Sequence, residues 1–139
     1  MLDRLIILNI IILDNNNIKH YLVSVEYSSC NNSVDETNQL IMTPNYPLPY
    51  KPKEACKWRM VAGCDEKIVL QFLDFQTEFL HDYIKIFDSL KMGKWGTYHG
   101  WTKPQDYKSH GNTLEMVFVS DCFVHRKGFK IHYSAAGML

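Results

Sequence analysis

From Cys30 onward the chain alternates short apolar runs with clusters of turn-forming residues. Gln39-Leu40-Ile41-Met42 is mostly apolar and ends at Thr43. Pro44, Pro47 and Pro49 follow, and three prolines so close together force an irregular extended loop. Five strands are predicted beyond that loop. Trp58 to Val61 is the first, and Lys67 to Phe75 the second, with Ile68, Leu70 and Phe72 on one face. Tyr83 to Phe87 is the third, and Thr113 to Val119 the fourth, apolar at Leu114, Val117 and Phe118. In the last, Phe129, Ile131 and Tyr133 alternate with Lys130 and His132, so one face is buried and the other wet. The continuous runs IVL and MVFV suit more central strands. Ala62-Gly63, Gly111-Asn112 and Lys127-Gly128 supply turns between them. Many short strands divided this way predict an all-β domain folded as a two-sheet sandwich.

Length and composition narrow the picture. A chain of 139 residues holds one domain with a real core. Fifteen acids balance fifteen bases, which argues against nucleic acid or an anionic membrane as the main partner. Lys51, Lys53, Lys57 and Arg59 are interleaved with Glu54 and read as a solvated face. Four cysteines in so short a chain suggest an oxidising, extracellular compartment. None forms a C-x-x-C pair, which disfavours a zinc ribbon or a thioredoxin motif. Asn31-Asn32-Ser33 is a glycosylation sequon at Asn31, relevant if the protein is secreted.

The first residues are harder to place. Leu5 to Leu13 is apolar except for Asn9 and follows Arg4, with the length of a signal-peptide core and too short to cross a bilayer. Asp14-Asn15-Asn16-Asn17 comes next without a small-x-small cleavage site, and Asp3 weakens the basic flank. A signal peptide, an imperfect start to the coding sequence and a fragment of a longer chain all fit. No second hydrophobic span occurs.

Chemistry concentrates in Tyr50, Glu78, Asp82 and Asp121, which lie just past or between the strand-like runs. A sheet would gather three of them at one edge. Calcium takes six to eight oxygens at about 2.3–2.6 Å, with carboxylates as its usual anionic ligands. On composition alone, solvated turn acids explain the same residues. The surrounding motifs decide between the two.

Cys30 and Cys56 frame Thr43-Pro44-Asn45-Tyr46-Pro47-Leu48-Pro49-Tyr50, followed by Cys56-Lys57-Trp58. This resembles the opening of a CUB domain: a cysteine, an S/T-P-x-Y-P-x-x-Y loop and C-x-W. Phe72-Leu73-Asp74-Phe75, Asp82-Tyr83-Ile84-Lys85-Ile86, Phe118-Val119-Ser120-Asp121 and the closing Gly128 to Tyr133 are similar to its later signatures, in order. The resemblance covers residues 30–134, leaving 1–29 as an N-terminal extension and 135–139 as a tail. It implies a jelly-roll-like antiparallel sandwich acting as an extracellular binding module rather than an enzyme. It also implies a Cys30–Cys56 disulfide and membership of the calcium-binding subgroup. There Glu78, Asp82 and Asp121 would ligate Ca2+ while the Tyr50 hydroxyl braces the glutamate. Two departures stand out. The family's second disulfide has its places held by Phe79 and His99, and the Glu78 to Asp82 loop is shorter than usual.

Catalysis finds little support. The six histidines are scattered and no H-E-x-x-H or G-x-S-x-G occurs. His81 and His99 read as surface histidines rather than a metal pair. Ser120-Asp121 with the distant His125 lacks an oxyanion-hole motif. Trp58, Trp95 and Trp101 read first as packing, with Trp95 or Trp101 the candidates for an exposed contact. The leading expectation is a calcium-organised module, secreted, whose carboxylates receive a lysine or arginine of a protein partner. The alternatives are a spermadhesin-like glycan- or lipid-binding protein and a non-catalytic fragment of an extracellular protease. Elimination would pair Cys64 with Cys122. Yet Cys64 precedes the Lys67–Phe75 strand, Glu78 follows it, and Cys122 adjoins Asp121. The strand spans roughly 20–30 Å and a disulfide needs Cα atoms within about 7 Å, so the two are expected not to bond within one chain.

Overall fold

The structure, a computed structural model, describes residues 12–14, 17–19, 23–90 and 95–137. Most of the Leu5–Leu13 run lies outside these. Two five-stranded antiparallel sheets face each other, as the alternating pattern requires. In the first, β10 (Tyr107–Lys108), β7 (Glu66–Gln76), β12 (Gly128–Gly137), β5 (Leu40–Met42) and β4 (Val34–Asp35) lie side by side in that order. The second runs β3 (Ser24–Ser28), β6 (Ala55–Val61), β11 (Thr113–Val119), β8 (Tyr83–Phe87), β9 (Trp95–Tyr98). A separate hairpin pairs β1 (Ile12–Asp14) with β2 (Asn17–Lys19). No helix among the described residues is long and apolar enough to cross a membrane.

The sandwich takes in residues on both sides of 30–134. β3 pairs with β6 from Ser24↔Val61 to Ser28↔Lys57, and Val23 and Val25 are fully buried. At the other end, β12 continues to Gly137, opposite Glu66. Val23, Val25 and Tyr27 alternate with Ser24 and Glu26, a strand-like period of two that lies before the residues the family motifs cover.

The core lies between the sheets. Trp58, Phe72, Phe118, Phe129 and Tyr133 are essentially inaccessible to solvent, and each large apolar side chain so buried contributes about 1.5–3 kcal/mol. Phe129 meets Trp58 and Phe118 edge-on, with ring centroids 5.9 and 5.4 Å apart. The Trp58 indole donates to the Ser33 hydroxyl (3.0 Å), which donates to the Cys30 carbonyl (2.7 Å), satisfying buried polar groups beside the Cys30–Cys56 disulfide. In β7 the register against β12 shifts so that Leu73 faces no partner. This bulge changes the phase of the strand and lets Phe75 as well as Phe72 enter the core. Gly128, at a φ of +93°, is needed because a Cβ there would collide with the Thr43 side chain.

Candidate metal centre

The pairing of β11 with β6 and β8 sets which loops meet. Val119 lies opposite Ala55 on one side and Tyr83 on the other. One end of the sandwich therefore gathers the loop before β6, the β7–β8 loop and the β11–β12 loop. Tyr50, Glu78, Asp82 and Asp121 all lie on these segments.

Asp82 is the hub. Although fully buried, both its oxygens are satisfied: Oδ2 accepts from the Tyr50 hydroxyl at 2.5 Å and Oδ1 from the Asp121 amide at 2.8 Å. The same phenol oxygen accepts the Glu78 amide at 3.1 Å. Tyr50 thus braces Glu78 through its main chain, while its proton goes to Asp82 rather than to the Glu78 carboxylate. The Tyr50 ring packs edge-on against Phe118 at 5.1 Å, so the core fixes the hydroxyl. Burial first, then the bond to Asp82, pushes the phenol well above its ordinary pKa, so it stays a donor.

Oxygens of Glu78, Asp82 and Asp121 lie within 4.8 Å of one another. Ligands each about 2.3–2.6 Å from one ion must be no more than about 5 Å apart, so the spacing suits calcium. Glu78 Oε2 is shielded from solvent and receives no hydrogen bond from the described residues, while the Asp121 carboxyl lies beside the Glu78 side chain. Such an atom is costly unless something fills the gap. Burial, then the charges of Asp121 and Asp82, raise the Glu78 pKa against the opposing effect of His81. Three carboxylates repelling one another around a shielded oxygen are a donor set suited to a hard cation. The Asp82 oxygens, with a second lone pair each, remain able to ligate.

The short β7–β8 loop is closed by its own bonds. Asp82 N–H donates to the Glu78 carbonyl at 3.1 Å, and the Thr77 hydroxyl donates to the Asp82 carbonyl at 2.9 Å. Thr77 N–H donates to the Gly100 carbonyl (2.9 Å), and Gly100 N–H donates back to the Thr77 hydroxyl (3.0 Å). Phe79 and His99 hold the places where the resemblance leads one to expect cysteines. Their rings meet edge-on at 4.9 Å, and the Leu80 amide donates to His99 Nδ1 at 3.3 Å. A non-covalent clasp thus ties the loop to the segment after β9. Thr77 and Gly100 carry no motif that marks them in the sequence.

On the other side, Ser120 laces β11 to the segment before β6. Its hydroxyl donates to the Lys51 carbonyl (2.9 Å) and accepts the Glu54 amide (2.8 Å). Asp121 Oδ1 accepts the Phe123 amide (2.9 Å), and Oδ2 lies 3.7 Å from His81 Nδ1. The proline loop is pinned by Tyr46, whose hydroxyl donates to Asp74 at 2.5 Å; burial first, then that bond, pushes the phenol up to about 12.

The remaining expectations fall elsewhere. Asn31 is exposed in a turn. Cys64 and Cys122 are both exposed and free, at opposite ends of the sandwich. Trp101 is exposed, with the Arg126 guanidinium 5.5 Å from its ring centroid. His125 packs its ring edge-on 6.1 Å from that of Tyr50, while the Ser120 hydroxyl is engaged by the Lys51 carbonyl and the Glu54 amide.

Fold, disulfide and loop arrangement together define a jelly-roll-like binding module, and the family model for the CUB domain matches residues 30–133. The chain belongs to the CUB-domain family, a non-catalytic module. It is 32% identical over 121 residues to human tumor necrosis factor-inducible gene 6 protein, covering 83% of this chain and 44% of that protein. It is 31% identical over 110 residues to human Tolloid-like protein 1, covering 75% of this chain and 11% of that protein. The chain therefore spans less than half the length of these relatives. Among solved structures, the full extracellular region of zebrafish Gpr126/Adgrg6 matches with a TM-score of 0.69 and 28% identity, over 80% of this chain and 15% of that one. The MASP-1 CUB2 domain bound to Ca2+ matches with a TM-score of 0.65 and 24% identity, over 76% of this chain and 98% of that one.

Proposed function

We propose that this chain is a secreted, calcium-organised protein-binding module in which Glu78, Asp82 and Asp121 hold one Ca2+ and Tyr50 fixes two of the three acids. The observation that carries this reading is the convergence of the three carboxylates within 4.8 Å around a shielded Glu78 oxygen that receives no hydrogen bond from the described residues. The calcium-bound state of the MASP-1 CUB2 domain supports it.

The ion would supply positive charge that relieves the mutual repulsion of the acids and ties the β7–β8 loop to the β11–β12 loop. The chain's own residues do the rest. Tyr50 and the Asp121 amide hold Asp82 in place, Thr77 and Gly100 hold the loop, and the carboxylate charge remaining at the rim receives a lysine or arginine of the partner. The exposed Asn31 is available for glycosylation in a secreted protein. The domain binds and positions; it contributes no catalytic step.

The test uses an immobilised, blocked peptide carrying one central lysine between glycines. The calcium-loaded chain should bind it, and chelator, high salt and Glu78→Ala should each weaken binding, because a lysine–carboxylate contact is screened by ions. Binding that survives all three treatments would overturn the calcium-dependent reading in favour of a spermadhesin-like one.

A further inference from the structure

Eight large apolar side chains are exposed among the described residues, and five of them stand on the loops that build or clasp the carboxylate cluster. Phe79 and Leu80 directly follow Glu78, with 60% and 65% of their surface exposed. Phe123 and Val124 lie two and three residues past Asp121, at 72% and 47%. Trp101 follows Gly100, which bonds to the β7–β8 loop. Scattered apolar residues need no explanation, but adjacent pairs on neighbouring loops around one acidic site do.

Two of these side chains rest on neighbouring side chains, and two more sit on main chain fixed by hydrogen bonds. Phe79 leans on His99 and the Leu80 amide bonds to it. Trp101 is stacked under Arg126, and the Phe123 amide bonds to Asp121 Oδ1. The ring contacts of Phe79 and Trp101 reduce the freedom they lose on association, so their burial yields affinity. Contacts that ring a binding centre exclude water from it and so strengthen the interactions made there.

We propose that this apolar collar selects a protein segment whose basic side chain is flanked by large apolar residues. The inference rests on the reading of the carboxylate cluster given above and adds the identity of the flanks. Charge complementarity fixes the basic centre, and the exposed residues beside Glu78 and Asp121 fix its neighbours. A bilayer fits less well, since the collar surrounds acids and the chain as a whole carries no net charge.

Two blocked peptides test this against the calcium-saturated full chain by calorimetry: one with a central lysine between glycines, the other with leucine and phenylalanine flanking the lysine. The second should bind at least about tenfold more tightly, the scale of one hot-spot side chain. Leu80→Ser and Phe123→Ser should each reduce that gain while keeping the unaltered protein's calcium affinity and thermal melt. Equal affinity for the two peptides, or a gain that persists in both variants, overturns the collar but leaves the reading of the carboxylates standing. Binding of neither peptide overturns both. Calcium-dependent capture of phosphatidylserine vesicles, lost in the same two variants without any peptide discrimination, would assign the collar to membranes and overturn a protein partner.

Discussion

Replacing Tyr50 with phenylalanine removes one oxygen and leaves the ring against Phe118. That oxygen serves two partners. It donates to the fully buried Asp82 carboxylate and accepts the Glu78 amide. A hydrogen bond to a charged group is worth about 1.5–3 kcal/mol and one between neutral groups about 0.5–1.5 kcal/mol. Asp82 keeps the Asp121 amide, so the carboxylate is weakened rather than stranded. The expected loss is therefore about 2–4 kcal/mol. At roughly 4 °C per kcal/mol, the melting temperature should fall by on the order of 8–16 °C. Urea unfolding in EDTA measures the loss without any contribution from a bound ion. In an Asp82→Asn background the same substitution should cost at least about 1 kcal/mol less, because the charged acceptor is gone. A loss below about 0.5 kcal/mol, or an equal loss in both backgrounds, would refute the assignment of Tyr50 as the brace of the cluster.

Three further outcomes follow from other parts of the molecule. The Cys30–Cys56 bridge closes a separation of 26 residues, so its removal should cost about 3.5 kcal/mol in urea unfolding; a loss under about 1 kcal/mol would contradict a structural role. Burial alone would raise the Asp88 carboxyl, but bonds from the His110 amide, the Tyr107 hydroxyl and the His110 ring together hold it below its ordinary value of 3.8. Its stabilisation is complete above that value and is lost as pH falls through the folded pKa. Asp88→Asn should therefore flatten the acid side of the stability curve between about pH 5 and 2, and an unchanged slope would dismiss the network. Cys64 and Cys122 should both react with a thiol reagent in the folded monomer, whereas recovery of an intrachain Cys64–Cys122 peptide would overturn the strand order at the site.

Much of the sandwich is legible because burial on one face leaves a period of two. The apolar-rich runs Thr113–Val119 and Tyr83–Phe87 coincide with β11 and β8, in which every second residue is buried. β3 carries the same period, with Val25 and Tyr27 alternating with Ser24 and Glu26 after Val23, but it precedes the motifs that mark the rest of the domain. β9 and β10 are not legible that way, at four and two residues. The bulge at Leu73 depends on pairing with β12, which no local pattern encodes. At the site, resemblance indicates the acids, but not that Asp82 is the buried hub. That follows from three loops converging, as do the Thr77–Gly100 lacing and the Phe79–His99 clasp, whose partners lie about twenty residues apart in sequence and close only when β8 and β9 pair.

Calcium binding itself is the most direct test. Calorimetric titration of Ca2+ into the unaltered chain should reveal one site, with an affinity from about micromolar to millimolar, as extracellular calcium sites span. Asp121→Ala should abolish the heat while the domain keeps its cooperative melt. No heat from the unaltered protein at millimolar calcium, or an undiminished site in Asp121→Ala, would contradict the account.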